Sequence, residues 1–186
     1  MQEALLTWDR KTLIYLNNLG TESFDTFWSI LTYTPIWIPL FIFFIFLFKK
    51  KHSRQEAAIK ISTVLLMVVF IILVTHWTKV SIERIRPNNN TQINTHLRIL
   101  KMPTDYSFFS GHASSSVSIT LLVFLFLRKK WKWSLLFFLW PMLFSYSRIY
   151  VGVHYPSDII FGLLAGILSA LLFYYSHNYF FPTKSK

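Results

Sequence analysis

The chain has 186 residues and is 53% hydrophobic and 19% aromatic, while only 15% of its residues are charged, against roughly 25% in soluble domains. Its apolar residues are blocked together rather than spaced with a helical or strand period, and its mean hydropathy is +0.42, which predicts an integral membrane protein. The absence of cysteine excludes disulfides, thiol catalysis and cysteine-ligated metals.

The net charge of +11 is distributed as in membrane proteins rather than as in nucleic-acid-binding proteins. Basic tracts lie at residues 49–60, 128–132 and 184–186, between or after apolar segments. Loops rich in lysine and arginine stay on the cytoplasmic side of a membrane. The aromatic residues lie in the apolar segments and not among the charges, so we predict no nucleic-acid partner.

The first 23 residues are too charged to cross a membrane. Residues 1–23 have a rough apolar face, which predicts an amphipathic helix in the membrane interface, ended by residues 17–20 (NNLG). They lack the basic start and uninterrupted apolar middle of a signal peptide. We expect residues 24–181 to form one membrane-embedded domain and residues 182–186 a short cytoplasmic tail.

Five apolar segments follow, each taken as a span of about 30 Å of hydrocarbon. They cover residues 26–48, 57–78, 106–127, 133–150 and 159–176. Pro35 and Pro39 should kink the first. The fifth carries Gly162, Gly166 and Ala170, a stripe of small residues that lets another helix approach closely. We predict an all-α integral membrane protein of about five transmembrane helices with its N-terminus outside; a sixth span formed by the first segment would invert the basic tracts and is less favoured.

In this topology eight lysine and arginine residues remain on the outer side. They are Arg10, Lys11, Lys79, Arg84, Arg86, Arg98, Lys101 and Arg148. The ends of the spans bring six chemically capable side chains to this face. They are Lys79, Arg86, His112, Arg148, His154 and Asp158. Arg84, Arg98 and Lys101 are expected to be solvated, and Glu83 to pair with a nearby arginine.

Several cations and two histidines at one depth favour an anion with several oxygens, and phosphate is the obvious candidate. Ser110 and Gly111 lie at a helix start, where free N–H groups and the helix dipole also favour an anion. Without cysteine, the nucleophile is expected to be a histidine, and His154 is favoured because Asp158 follows four residues later. His112 would then donate a proton to the leaving oxygen and help to activate water. With the cations stabilising the phosphoryl group, no metal is needed.

Three stretches of the chain resemble the signatures of the type 2 phosphatidic acid phosphatase family. Residues 79–87 (KVSIERIRP) match the first signature, residues 110–112 (SGH) resemble the second, and residues 147–158 (SRIYVGVHYPSD) match the third without a gap. Phe109 stands where the family usually has proline, at a position that shapes the loop. The similarity covers roughly residues 24–176.

The resemblance implies a membrane lipid phosphatase that works on the outer leaflet without a metal or another cofactor. It implies five phosphate-binding residues, namely Lys79, Arg86, Arg148, Ser110 and Gly111. By the same resemblance, His154 would form a phosphohistidine, Asp158 would support it and His112 would be the general acid and base.

The signatures do not separate substrates within the family. Undecaprenyl diphosphate is the first candidate because the chain resembles small bacterial members, with lipid A, phosphatidylglycerol phosphate and phosphatidate as alternatives. We expect the loop at 88–105 to help to choose the headgroup. A lipid-to-lipid phosphotransferase and a non-catalytic membrane binding protein are the competing functions. The expected location is a bacterial inner membrane with the site facing the periplasm, and the oligomeric state is left open.

Overall fold

A computed structural model describes residues 2–182, so the predicted tail lies outside the described residues except for its first position. Seven α-helices and four short 3-10 helices, with no strand, make up this part of the chain. The α-helices are α1 (Gln2–Asn18), α2 (Glu22–Leu31), α3 (Ile38–Lys51), α4 (Arg54–Ile82), α5 (Gly111–Leu127), α6 (Leu139–Tyr150) and α7 (Pro156–Phe180). The predicted all-α class is confirmed.

The N-terminal helix α1 ends at Asn18, within the NNLG sequence that predicts its end. It packs against α6 and α7, where Leu13 is fully buried. Asn17 is buried as well, and its Nδ2 donates to the carbonyls of Ile149 at 3.1 Å and Tyr150 at 2.8 Å. Polar contacts therefore attach this helix to the bundle, in addition to its apolar face.

The first predicted span is two helices rather than one kinked helix. After α2 the chain forms a 3-10 helix at Thr34–Trp37 and continues as α3, with a bend of 67° between the two helical segments. Pro35 and Pro39 each lie in the first turn of a helix, where the missing N–H leaves no bond unmade. The break therefore precedes the prolines. Trp37 closes it by donating from Nε1 to the carbonyl of Leu31 at 3.0 Å.

Two helical segments are long and apolar enough to cross a membrane, namely Arg54–Asn89 and Pro156–Phe180. The bent pair of α2 and α3 would make a third span, while α5 is apolar but shorter. The predicted fourth span at 133–150 consists of a 3-10 helix, Lys132–Phe138, followed by α6. Five spans therefore remain a prediction.

The third predicted span starts five residues too early, because α5 begins at Gly111 and not at residue 106. Ser110 caps the helix, with its Oγ accepting from the N–H of Ala113 at 3.4 Å. The preceding residues form a loop in which the N–H of Ser107 donates to the carbonyl of Arg84 at 2.9 Å. The hydroxyl-rich sequence before Gly111 thus belongs to the connection and the cap.

Helix α5 lies at the centre of the bundle and contacts α4, α6 and α7. A Cβ atom at Gly162 of α7 would lie 2.7 Å from the carbonyl oxygen of Ser110, and one at Gly166 would overlap the carbonyl oxygen of Ser114. Ala170, the next member of the stripe, is fully buried. The predicted close helix approach is confirmed.

The main apolar core is formed by buried side chains of α3 to α7. It includes Phe44, Phe48, Met67, Leu122, Val123, Leu127, Trp140, Phe144 and Ala170. The C-terminal ends of α4 and α6 meet the N-terminal ends of α5 and α7 at one end of this bundle. The polar side chains singled out in the sequence lie at that end.

Candidate active site

A cavity of about 560 Å³, called the site cavity below, opens at this end of the bundle. Its polar wall contains Lys79, Arg86, Asp105, Gly111, His112 and Arg148. Its remaining wall is largely apolar and includes Phe41, Val68, Ile71, Ile119, Trp140 and Phe144. The cavity therefore joins a cationic end to an apolar surface between the helices.

The end of α4 turns sharply and so brings Lys79 and Arg86 to the same cavity. Lys79 lies in the last turn of the helix, and Glu83 ends it in the left-handed conformation with φ of 52°. Arg86 follows in extended conformation. Glu83 does not pair with an arginine as predicted, since its carboxylate accepts from the hydroxyl of Tyr106 at 3.2 Å.

The guanidinium of Arg86 is almost fully buried and donates in three directions. Nε and Nη2 bind the carbonyl and the carboxylate of Asp105 at 2.8 Å and 2.9 Å. Nη1 lies 2.9 Å from the carbonyl of Val153 and 3.1 Å from Nε2 of His154. Arginine is only a donor, so Nε2 of His154 is the acceptor and the ring proton resides on Nδ1.

Asp158 supports this tautomer from the first turn of α7. Its Oδ2 lies 3.3 Å from Nδ1 of His154 and also accepts from the N–H of Tyr155 at 2.9 Å. Burial, followed by the charges of Arg86 and Arg148, lowers the pKa of His154 well below its ordinary value and keeps the ring neutral. The lone pair of Nε2 therefore faces the cationic side of the site.

Arg148 of α6 and His112 of α5 both line the site cavity. Arg148 is buried in the last turn of α6, where its Nη1 donates to Oγ1 of Thr32. Within the described part of the chain its Nε is buried without a hydrogen-bond partner, and such a donor suits an anion. His112 is half-buried near the start of α5, with its ring centroid 4.8 Å from that of Phe144.

Ser110 and Gly111 differ in how they meet the cavity. Ser110 is fully buried, and its N–H donates to the carbonyl of Asp158 at 3.0 Å. Its hydroxyl is occupied as the helix cap. Gly111 lines the cavity, so the start of α5 presents the glycine rather than the serine to a ligand.

No motif in the sequence indicates Asp105, which holds two of the predicted phosphate-binding cations. Lys79 donates from Nζ to Oδ2 of Asp105 at 2.6 Å and to the carbonyl of Tyr106 at 2.7 Å. Although burial opposes it, the hydrogen bond from Lys79 and the charge of Arg86 hold the pKa of Asp105 below its ordinary value. The sequence points to Asp105 as a site residue only through its position at the end of the polar loop.

Arg84 and Arg98 are held in ion pairs rather than solvated as predicted, whereas Lys101 is exposed. Arg84 lies 2.6 Å from Oδ1 of Asp158 and 2.5 Å from Oδ2 of Asp9. Arg98 lies 2.5 Å from Oδ2 of Asp25. The acids of α1 and α2 come from far away along the chain, so a charge pattern along the sequence does not reveal these pairs.

Comparison with known proteins identifies a family and individual relatives that match most of the chain. The family model of the PAP2 superfamily matches residues 59–182. The chain is 26% identical to the lipid A 4'-phosphatase of Bacteroides thetaiotaomicron over 179 residues, which is 94% of this chain and 79% of that protein. It is 37% identical to the undecaprenyl-diphosphatase of Sulfolobus acidocaldarius over 131 residues, 70% of this chain and 58% of that protein.

The fold is also that of a solved structure. The crystal structure of a transmembrane PAP2-type phosphatidylglycerolphosphate phosphatase from Bacillus subtilis superposes with a TM-score of 0.77 at 18% identity, covering 98% of this chain and 90% of that one. The bundle is therefore a membrane-protein fold. Together with its apolar helices, this likeness makes the chain an integral membrane protein.

Proposed function

The chain belongs to the PAP2 superfamily, and from this premise we propose that it hydrolyses a lipid phosphate or diphosphate through a phosphohistidine at His154. The observation that carries the proposal is the orientation of this buried ring. Its Nδ1 is held by Asp158 and its Nε2 meets Arg86, beside a cavity lined by further cations. His154 is 1% exposed and is not among the residues that line the cavity, so its Nε2 must exchange the hydrogen bond from Arg86 for the phosphorus of a bound substrate before it acts as the nucleophile.

In the first step Nε2 of His154 attacks the phosphorus, so that an N–P bond forms and the P–O bond to the lipid breaks. His112 gives a proton to the leaving lipid oxygen. Asp158 stabilises the positive charge of the phosphorylated ring through Nδ1–H. In the second step water attacks phosphorus, His112 takes a proton from that water, and the N–P bond breaks to release inorganic phosphate and the neutral ring.

The cations of the cavity would bind the phosphoryl oxygens throughout. Arg86 and Arg148 offer planar forks of donors and Lys79 a point charge. We propose that these side chains neutralise the transferred group without a metal ion.

A lipid fits because the apolar wall of the site cavity continues deeper between the helices. A second cavity of about 260 Å³, lined entirely by apolar side chains, shares Phe41, Val68 and Ile119 with it. A substrate could keep its tail there while its phosphate meets the cations. The loop at 88–105 contributes Pro103 and Asp105 to the cavity, which supports its proposed part in headgroup choice.

Two substrate classes have separate support. The lipid A 4'-phosphatase matches nearly the whole chain, whereas the undecaprenyl-diphosphatase is more similar over a shorter part. We propose lipid A phosphate and undecaprenyl diphosphate as the substrates to test first. We further propose that the site faces the outside of a bacterial inner membrane, as the positions of the basic tracts favour.

The test is phosphate release by the detergent-purified protein in EDTA across four lipids: undecaprenyl diphosphate, lipid A, phosphatidylglycerol phosphate and phosphatidate. His154→Ala should abolish release, and His96→Ala, which removes an exposed histidine from the neighbouring loop, should retain it. The lipid with the highest kcat/KM identifies the substrate class. Hydrolysis would be contradicted by no release from any lipid or by equal release from His154→Ala. It would also be contradicted if the phosphoryl group were transferred to an acceptor lipid instead of water.

A further inference from the structure

A buried carboxylate from the N-terminal helix lies behind the candidate nucleophile. Asp9 of α1 is 1% exposed. It accepts from the N–H of Ser157 at 2.8 Å and from the hydroxyl of Ser157 at 2.5 Å. Nη2 of Arg84 donates to the same carboxylate at 2.5 Å. An acid this deeply buried requires such partners, and here they connect it to the first turn of α7.

Arg84 links Asp9 to the carboxylate that orients the histidine. Its Nη1 donates to Oδ1 of Asp158 at 2.6 Å, and the guanidinium lies 4.0 Å above the ring of Tyr155. Oδ2 of Asp158 lies 3.3 Å from Nδ1 of His154 and also accepts from the N–H of Tyr155. The contacts therefore run from Asp9 through Arg84 and Asp158 to His154, with each carboxylate oxygen of Asp158 held by a different partner.

The charges of this chain of contacts explain why two acids are needed. If Arg84 faced Asp158 alone, its charge would neutralise the carboxylate that must stabilise a positive ring on His154. Asp9 takes the other edge of the guanidinium, so Arg84 is shared between the two carboxylates instead of facing Asp158 alone. A fork-shaped cation held from both sides also leaves Asp158 little freedom to rotate away from the histidine.

A purely structural role for Asp9 would be the attachment of α1 to α7. Asn17 and Leu13 already attach α1 to the bundle further along the helix. Unlike Asn17 and Leu13, Asp9 contacts Arg84, and Arg84 in turn contacts Asp158. The matched family segment, residues 59–182, does not include α1.

We propose that Asp9 and Arg84 are positioning residues for the phosphoryl transfer, which fix the Asp158 carboxylate so that Nε2 of His154 faces the bound phosphate. The N-terminal helix then completes the site. This inference rests on the proposed function and deepens it, because it assigns a part in the reaction to two residues that do not touch the substrate.

The test compares Asp9→Asn with Asp25→Asn. Asp25 of α2 forms an equally short ion pair with Arg98 but has no contact with His154 or Asp158, so it is the control for the loss of an ion pair. Asp9→Asn should lower kcat about 10- to 100-fold, by analogy with the loss of a hydrogen-bond partner behind a metal-bound histidine. KM should not change, because Asp9 does not reach the site cavity. Asp25→Asn should retain kcat.

Arg84→Lys and Arg84→Gln supply a second measurement. Lysine keeps a cation between the two acids, so Arg84→Lys should retain more of kcat than Arg84→Gln, which leaves two buried carboxylates without a counter-charge. Competitive inhibition by inorganic phosphate and the thermal unfolding midpoint are measured for all four variants. An unchanged inhibition constant shows that the phosphate-binding cations are still in place.

Full kcat in Asp9→Asn would overturn the inference. So would a loss of kcat that is accompanied by an equal loss of phosphate inhibition and of thermal stability, because that pattern indicates only a structural role. If His154→Ala is inactive while Asp9→Asn is fully active, the proposed function stands and only the inference fails. If His154→Ala stays active, both fail.

Discussion

Nη1 of Arg86 lies 3.1 Å from Nε2 of His154, so a side chain proposed to bind phosphate touches the nitrogen proposed to attack it. The same guanidinium binds the backbone carbonyls of Asp105 and Val153 and the carboxylate of Asp105. Arg86 thereby sets the direction of the lone pair as well as the charge beside it. The planar fork of arginine is needed for both.

Arg86→Lys should therefore be far more damaging than a conservative exchange of charge suggests. Lysine keeps the cation but cannot reach these acceptors together, so kcat/KM should fall about 10²- to 10³-fold, as after loss of one positioned donor to a developing oxyanion. Arg128→Lys, at the far end of α5, should have no effect. Near-normal kcat/KM in Arg86→Lys would contradict this role.

Asp105→Asn should strengthen the binding of inorganic phosphate. The carboxylate of Asp105 engages Lys79 and Arg86, and a phosphate must share or displace those contacts. Removing its charge should lower the inhibition constant for phosphate about tenfold, which corresponds to about 1.4 kcal/mol. Glu83→Gln, which removes a nearby exposed carboxylate without contacts to the two cations, is the control. Weaker inhibition in Asp105→Asn would show that the carboxylate organises the cations instead of competing for them.

The buried ring of His154 should make the protein less stable in mild acid. Burial first, and then the charges of Arg86, Arg148 and Lys79, lower its pKa well below the ordinary value of about 6.5, with Asp105 acting in the opposite direction. Between that value and the lower folded pKa, the unfolded chain binds a proton that the folded chain does not. The free energy of unfolding should therefore decrease as the pH falls below about 6.5, by up to about 1.4 kcal/mol per pH unit.

The measurement for this pH effect is the thermal unfolding midpoint of the wild type and of His154→Gln from pH 7.5 to pH 5. The variant lacks the titrating group, so its midpoint should fall less steeply with acid. Other histidines contribute equally to both proteins. Parallel curves would mean that His154 does not resist protonation in the folded state.

Gly166→Val should destabilise the bundle. A Cβ atom at this position would overlap the carbonyl oxygen of Ser114 and Cγ1 of Val117, and the backbone of α5 cannot move away without disturbing the site. Overpacking of this kind costs about 1–3 kcal/mol. The thermal midpoint should fall clearly, whereas Leu168→Val on the exposed face of α7 should leave it nearly unchanged. Equal midpoints would contradict close α5–α7 packing.

Local patterns predict much of this fold and part of the site. The small residues of α7, the end of α1 and the all-α class follow from composition and spacing. The convergence of Lys79, Arg86, His112 and Arg148 on one cavity follows from the positions of the helix ends. Each of these features depends on residues close together in sequence or on the alternation of apolar and charged segments.

Features that depend on distant partners are not encoded in such patterns. The start of α5 is set by the Ser110 cap, whose N–H is bound by a carbonyl of α7. Arg84 is held in ion pairs rather than solvated because Asp9 folds against it from the N-terminal helix. Asp105 engages two cations that the signatures assign to phosphate. Hydrogen bonds across the chain decide each of these cases.

In the proposed mechanism His154 carries the phosphoryl group during turnover. The direct measurement is rapid quenching of the protein with a lipid substrate labelled in the cleaved phosphate, followed by identification of the labelled residue. We expect an acid-labile, alkali-stable label on His154 that is absent from His154→Ala. Label on another residue, or lipid turnover in His154→Ala at the wild-type rate, would contradict it.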